Sequence, residues 1–200
     1  MGLNPKQKAL KRVFDIVCST IGLVFTSWII IIAWIIASFD TGKNGFFVQE
    51  RVGQDGKTFK LIKIRSMREL PGVDTFVTTS SDRRITKTGR FMRKYGIDEL
   101  PQLLNILKGD MSFVGPKPDV PGYADQLKGR DRVILSVRPG LTGPATLRYG
   151  DEEDLLAAWD DPESYSDGFI WPDKVKINRE YVENWSFWND LKYIWKAVFS

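Results

Sequence analysis

The sequence predicts an α+β fold that is mostly helical and carries a membrane anchor in its N-terminal part. Three observations point to it. The segment from Ile16 to Phe39 has 24 residues and no charge. Residues 57–64 alternate apolar and basic side chains after the turn formed by residues 53–56, as in the second strand of a β-hairpin. Within residues 99–108, leucines recur at helical spacing, which predicts an amphipathic helix that Gly109 ends.

The uncharged segment is the anchor, which we assign to residues 1–40. It exceeds the apolar core of about 7–15 residues found in secretory signals, and it suffices for a span of about 20 residues. Basic residues flank it on both sides, which favours two cytoplasmic ends. Thr26 and Ser27 can bond to backbone carbonyls and bend a helix at its middle. The residues alone leave two topologies open: a straight span, and a re-entrant helix that breaks near Thr26-Ser27.

The remaining elements follow from local patterns in chain order. We expect a loop over residues 69–81, a short basic helix over 86–95, a rigid extended path over 111–121, a short helix over 123–135, a tight loop over 138–144, an acidic helix over 151–161 and a long aromatic helix over 174–199. The aromatic helix is read equally well as core and as an amphipathic helix at the membrane interface.

Charge and composition narrow the range of functions. The net charge of +4 favours anionic partners such as phosphates, nucleotides, anionic lipid or nucleic acid. Nucleic acid is disfavoured, because the chain has no zinc-finger spacing and no helix-turn-helix or RNA-binding motif. The chain contains no histidine, so carboxylates are the best candidates for acid, base or nucleophile. The single cysteine, Cys18, has no partner for an internal disulfide.

The acid pair Asp98-Glu99 is the candidate site. Residues 83–95 just upstream contain six basic side chains and no acid. One interpretation is a plain helix start, with Asp98 as N-cap and Pro101 in the first turn. The other is a positive pocket for phosphate, which lowers the pKa of the acids and keeps them ionised. An ionised Asp98 can then attack phosphorus, and Glu99 can hold a divalent metal.

Several sequence blocks in fixed order carry a family resemblance. They are Lys11-Arg12 with Asp15, Gln49-Glu50-Arg51-Val52-Gly53, Lys63-Ile64-Arg65-Ser66-Met67, Asp98-Glu99-Leu100-Pro101-Gln102-Leu103, Gly109-Asp110-Met111-Ser112-Phe113-Val114-Gly115-Pro116 and Val137-Arg138-Pro139-Gly140-Leu141-Thr142-Gly143. Together they resemble the bacterial sugar transferases, the monotopic phosphoglycosyl transferases, in the small form that comprises only the catalytic domain. The resemblance covers nearly the whole chain.

The resemblance implies an enzyme on the cytoplasmic face of the bacterial inner membrane. It implies a re-entrant anchor in one leaflet, followed by a cytoplasmic catalytic domain over residues 41–200. The implied reaction moves a sugar phosphate from a UDP-sugar to undecaprenyl phosphate, releases UMP, and starts assembly of a surface glycan. Asp98 is the implied nucleophile, with Glu99 and Asp98 at a Mg²⁺ site. The positions implied for phosphate binding are Lys63, Arg93, Lys117 and Arg138.

The chain departs from the family pattern at two places. The family often breaks its re-entrant helix at Ser-Pro, where this chain has Ser27-Trp28. The usual Gly-Pro-Arg-Pro has Lys117 in place of arginine, which keeps the charge and loses the bidentate fork. Two other functions stay open: a glycosyl transferase that releases UDP, and a non-catalytic membrane adaptor. The aromatic surfaces also leave room for a homodimer.

Overall fold

A single 37-residue helix, α1 (Pro5–Thr41), forms the N-terminal part of the protein. The computed structural model describes residues 2–72, 75 and 77–199. Asn4 begins the helix with a capping box, and Gly42 ends it in the left-handed conformation. We expected a break near Thr26-Ser27, and this expectation is wrong. The helix continues through both residues, and the Thr26 hydroxyl donates to the Gly22 carbonyl at 2.8 Å without interrupting the backbone hydrogen bonds.

The two faces of α1 have opposite character. One face packs on the rest of the protein, and its buried residues are Lys11, Asp15, Ser19, Ile30, Ala33 and Ala37. The other face is an exposed apolar stripe at helical spacing, formed by Leu10, Val13, Val17, Ile21, Val24, Trp28, Ile31 and Ile35. Among the described residues, α1 alone has the length and apolarity needed to cross a membrane. Its buried positions extend over about 39 Å of helix, at 1.5 Å per residue.

The predicted β-hairpin is confirmed. Strand β1 (Phe46–Val52) pairs antiparallel with β2 (Thr58–Ile64). The connecting turn places Asp55 and Gly56 at positive φ, a conformation that glycine adopts without strain. Leu61 of β2 is buried against Leu103 and Ile106, and Ile64 is buried against α1, so the hairpin is fixed to two other parts of the fold.

The predicted helices around the acid pair are also confirmed, with one shifted boundary. Helix α2 (Lys87–Lys94) is capped by the Thr86 hydroxyl, and α3 (Gln102–Lys108) ends at Gly109 with φ 99°. One interpretation of the sequence made Asp98 the N-cap of α3 and placed Glu99 in its first turn, but both acids lie in a separate 3₁₀ turn, Ile97–Glu99. Pro101 is the N-cap residue instead of Asp98, and it makes no side-chain cap.

The motif blocks at residues 109–116 and 137–143 contribute a parallel strand pair, β3 (Ser112–Val114) with β4 (Gly140–Thr142). The tight loop predicted over residues 138–144 is therefore wrong at its centre. Two glycines allow the close approach of the backbones. A Cβ on Gly115 would lie 2.6 Å from the Arg138 carbonyl oxygen, and one on Gly140 would collide with the Gly115 nitrogen.

The C-terminal part is helical but more divided than predicted. The helix expected over 123–135 is replaced by two 3₁₀ segments, Ala124–Gln126 and Gly129–Ser136. Of the acidic helix predicted over 151–161, only the first part is helical, as α5 (Glu152–Ala157). It lies between the short helices α4 (Pro144–Arg148) and α6 (Pro162–Tyr165), and a π-helical turn, Ser166–Ile170, leads on from α6. Of the loop predicted over 69–81, residues 73, 74 and 76 lie outside the described residues.

The single long helix expected over 174–199 is wrong, since the structure has α7 (Trp171–Glu183) and α8 (Phe187–Phe199). The break follows from a buried carboxylate. Asp190 of α8 accepts hydrogen bonds from the Tyr181 hydroxyl of α7 at 2.8 Å and from the Trp185 indole between the two helices at 3.0 Å. Lys11 of α1 also donates to Asp190, at 2.6 Å. The exposed face of α8 carries Trp188, Trp195, Val198 and Phe199, and its location at a membrane interface stays a prediction.

Candidate active site

The acid pair lies where three elements meet: the 3₁₀ turn before α3, strand β2 and the loop after β3. Asp98 is 5% exposed, and its carboxylate accepts no hydrogen bond from the described residues. Glu99 is partly buried and forms an ion pair with Lys63 of β2, Nζ to Oε1, at 3.0 Å. The Lys117 Nζ lies 3.8 Å from the same oxygen. Two cations therefore converge on one acid and leave the neighbouring acid without a partner.

Arg93 approaches the pair from α2 but has a partner of its own. Its guanidinium is paired with Glu153 of α5, and it also contacts the sulfur of Met67 at 3.8 Å. The charge of Arg93 still acts on both acids, since it lowers the pKa of Asp98 and of Glu99. The structure thus brings together Lys63, Lys117 and Arg93 around the acid pair, as the sequence predicted for three of its four cations.

The pKa values of the two acids shift in opposite directions. Burial raises the pKa of Asp98, the adjacent Glu99 raises it further, and the charges of Lys63, Arg93 and Lys117 only partly oppose this. Burial acts in the same direction on Glu99, but Lys117, Lys63 and Arg93 outweigh it and lower the pKa to about 2. The expectation that the basic pocket lowers the pKa of both acids is therefore right for Glu99 and wrong for Asp98. The two acids differ because the Lys63 and Lys117 ammonium groups lie 3.0 and 3.8 Å from a Glu99 oxygen, whereas Asp98 forms no ion pair with the described residues and lies beside the charge of Glu99.

The donor set fits a magnesium ion held jointly with a substrate. Mg²⁺ is usually bound through one or two carboxylates, with phosphate oxygens and water in its other positions. Two adjacent carboxylates, one of them fixed in its ionised form, meet this requirement. Within the described residues no group of three or more His, Cys, Asp or Glu side chains is arranged to hold a metal. A protein-only cage is thus not present in that part of the chain.

Arg138, the fourth predicted cation, lies at the other end of α3. Its Nε donates to the Gly109 carbonyl at 2.8 Å, just past the C-terminus of that helix. Arg12 of α1 donates to the carbonyls of Ile106 and Leu107, at 2.7 and 2.8 Å. The acid pair precedes the N-terminus of α3, so about 10 Å of helix separates it from Arg138. The hydrogen bond from Arg138 to Gly109 joins this cation to the C-terminal end of α3.

Two further residues position the site, and the sequence alone did not predict this role for either. Asn105 of α3 is fully buried and bonds the outer edge of β2: its Nδ2 donates to the Lys60 carbonyl at 2.8 Å, and its Oδ1 accepts from the Ile62 amide at 3.1 Å. Arg51 of β1 donates to the Pro118 carbonyl at 3.0 Å and so braces the loop of Lys117. Arg51 belongs to a motif block of the sequence, whereas Asn105 gave no signal.

The architecture defines a class of protein: a membrane-associated α+β domain whose buried acid pair is surrounded by cations suited to phosphate. The family model described as "Bacterial sugar transferase" matches residues 6–200. Since the match covers nearly the whole chain, the protein belongs to the bacterial sugar transferase family.

Named relatives agree with this membership. An undecaprenyl-phosphate galactose phosphotransferase of Salmonella typhimurium is 36% identical over 94% of this chain. The chain spans only 40% of that relative's own length. An uncharacterized sugar transferase of Bacillus subtilis, EpsL, is 37% identical over 94% of this chain and 85% of its own length. A UDP-glucose:undecaprenyl-phosphate glucose-1-phosphate transferase of Caulobacter vibrioides is 33% identical, with 94% of this chain and 68% of the relative covered.

Proposed function

We propose that the protein transfers a sugar phosphate from a UDP-sugar to undecaprenyl phosphate and so starts assembly of a surface glycan. One observation carries the proposal: Lys63 and Lys117 converge on Glu99, while the adjacent carboxylate of Asp98 is buried and accepts no hydrogen bond from the described residues. A nucleophile needs such a free oxygen, and a diphosphate substrate needs such cations. The names of the Salmonella and Caulobacter relatives agree with this donor and acceptor.

Asp98 is the proposed nucleophile of a two-step reaction. Its carboxylate oxygen attacks the phosphorus linked to the sugar, the bond from that phosphorus to the bridging oxygen breaks, and UMP leaves with the electron pair. A phosphate oxygen of the lipid acceptor then attacks the same phosphorus. The acyl-phosphate bond breaks, the carboxylate of Asp98 is restored, and the product is a diphosphate-linked lipid. No histidine is needed for either step.

The cations supply positioning and charge stabilisation. Lys63 and Lys117 lie on fixed elements, the strand β2 and the Pro116-Lys117-Pro118 loop, so their ammonium groups are held before substrate arrives. They lower the pKa of Asp98 against the effect of burial, which favours its ionised, nucleophilic form. Mg²⁺ at Glu99 and Asp98 would neutralise part of the charge on the diphosphate. Arg93 is available to a substrate phosphate once it leaves Glu153.

The anchor is proposed to keep both of its ends on the cytoplasmic face of the inner membrane. A straight span would take about 20 residues of α1 into lipid on all sides. The buried positions of α1 instead extend from Lys11 to Ala37, so the catalytic domain accompanies the helix along its length. Because α1 is a single unbroken helix, an arrangement in which it lies along one leaflet is compatible with this contact and with the exposed apolar stripe. Labelling of Gly2→Cys and Phe199→Cys from the same side of sealed vesicles supports it, and labelling from opposite sides refutes it.

The decisive experiment is the identity of the released nucleotide. We would incubate the purified full chain in detergent with undecaprenyl phosphate, Mg²⁺ and a panel of UDP-sugars that includes UDP-glucose and UDP-galactose. We expect UMP from one donor, no turnover in Asp98→Asn, a severe loss in Glu99→Gln, and full activity in the control Asp154→Asn, an exposed acid of α5. Release of UDP indicates a glycosyl transferase. Turnover that survives in Asp98→Asn refutes the covalent mechanism, and no release with any donor favours the adaptor.

A further inference from the structure

A second group of cations surrounds a cavity of about 240 Å³ at the C-terminal end of α3. The cavity lies between the start of α1 and the segment that precedes β4. Four basic side chains line it: Lys8, Lys11, Arg12 and Arg138. No acidic side chain is among its lining residues in the described part of the chain. It is thus a separate basic site, distinct from the acid pair at the opposite end of the same helix.

Most of this positive charge has no carboxylate partner. Lys11 is paired with Asp190, but Arg12 donates to two neutral carbonyls and Arg138 to a third. Within the described residues, no carboxylate oxygen lies within 4 Å of the basic nitrogens of Lys8, Arg12 or Arg138. Burial and the nearby charge of Arg12 lower the pKa of Arg138, and the Asp15 carboxylate partly opposes this, although an arginine stays protonated in any case. Two guanidinium groups therefore repel each other beside an accessible space.

A polar group also faces this space without a partner. The Ser136 hydroxyl oxygen is buried, and the described residues offer it no hydrogen bond. A buried hydroxyl without a hydrogen-bond partner is unfavourable, so it marks a place where a polar ligand is expected. The volume also limits the ligand. The cavity volume is below the roughly 300–1,000 Å³ of pockets for drug-sized molecules, so the cavity suits a phosphate group better than a whole nucleotide sugar.

The position of the cavity relative to the apolar stripe of α1 indicates the source of such a phosphate. The exposed apolar stripe of α1 begins at Leu10 and Val13, which lie within one helical turn of Lys8 and Arg12. If the stripe faces the acyl chains, the cavity opens at the level of the headgroups. We propose that this cavity is a second anion site, which binds the phosphate of an anionic lipid headgroup and holds the start of α1 at the membrane surface. Inorganic phosphate shares the chemistry and is the alternative source.

The test measures binding rather than turnover. The full chain in nonionic detergent is titrated at constant ionic strength with short-chain phosphatidylglycerol and, separately, with inorganic phosphate, and its thermal unfolding temperature is followed. We expect a saturable rise whose apparent dissociation constant is about fivefold higher in Lys8→Gln, from the loss of one basic contact. The matched control is Lys6→Gln, an exposed lysine of the same helical turn that does not line the cavity. Arg138→Met is expected to abolish saturation.

The outcomes separate the sources and the two sites. A Lys8-dependent rise with phosphatidylglycerol alone assigns a lipid headgroup, and the same dependence with inorganic phosphate assigns the free anion; both support the site. Equal behaviour of Lys6→Gln and Lys8→Gln, or no saturable rise, overturns the proposal. Lys117→Gln is expected to bind normally here. Sensitivity to Lys117 with no sensitivity to Lys8 would place the anion at the acid pair and also overturn the proposal, without affecting the proposed transferase activity.

Discussion

Replacement of Asn105 by alanine tests how the site is held together. Asn105 is fully buried, and three side-chain hydrogen bonds join it to the Lys60 carbonyl, the Ile62 amide and Asp110. The first two bonds satisfy the edge of β2 that does not pair with β1. Alanine at this position leaves both backbone groups and the Asp110 carboxylate without these partners.

The magnitude follows from the three lost bonds. Each group that loses its partner costs about 1 kcal/mol at the lower end of the range, which applies because Lys60 is exposed and Ile62 is only partly buried. We therefore expect a loss of about 3 kcal/mol in the free energy of unfolding. For a domain of this size, 1 kcal/mol corresponds to about 2–4 °C, so the unfolding temperature is expected to fall by about 6–12 °C.

The assay is thermal unfolding of the full chain in detergent, with Asn178→Ala as the matched control. Asn178 is also buried, at 7% exposure, but its side-chain oxygen has no hydrogen-bond partner among the described residues. Its loss should therefore lower the unfolding temperature by much less. Equal shifts in the two variants, or a shift below about 2 °C in Asn105→Ala, would show that the bonds to β2 do not stabilise the fold.

Two further predictions concern charges near the site. Burial raises the pKa of Asp119 from 3.8 to about 6, so the folded state binds its proton more tightly and the free energy of unfolding falls as pH rises from about 4 to about 6. Asp119→Asn should remove this pH dependence and raise the free energy of unfolding by about 2–3 kcal/mol at pH 7.5. Parallel curves of stability against pH for the two proteins would contradict the prediction. Glu153→Gln should release Arg93 for substrate and lower the KM for the donor by up to about fivefold with kcat unchanged. Glu152→Gln, the neighbouring acid of α5, is its control, and an equal change in both variants argues against a specific competition.

The sequence was most informative where a local pattern determines a local structure. The hairpin, α2 and α3 follow from side-chain periodicity and from turn or cap residues such as Gly109, and all three are present. The acid pair and the nearby Lys63 and Lys117 were also predicted, because fixed motifs carried them. The order of the motifs predicts that such residues act together, even when they lie on separate elements of the fold.

Tertiary contacts explain what the sequence could not predict. The break between α7 and α8 depends on Asp190, which is bound by Lys11 from the other end of the chain. The pairing of β3 with β4 depends on two glycines that are 25 residues apart, Gly115 and Gly140. The pKa of Asp98 depends on its burial as well as its basic neighbours. None of these effects is visible within one local segment.

The pairing of β3 with β4 bears on the exchange of segments between sugar transferases. The Gly115 amide donates to the Thr142 carbonyl at 2.9 Å, and the Gly140 amide donates to the Pro116 carbonyl at 2.8 Å. The residue after Pro116 is Lys117, whose position therefore depends on a segment more than twenty residues further along the chain. A chimera that takes residues 109–118 from one parent should take residues 138–143 from the same parent. Residues 109–118 and 138–143 form one structural unit, although they are separated along the sequence.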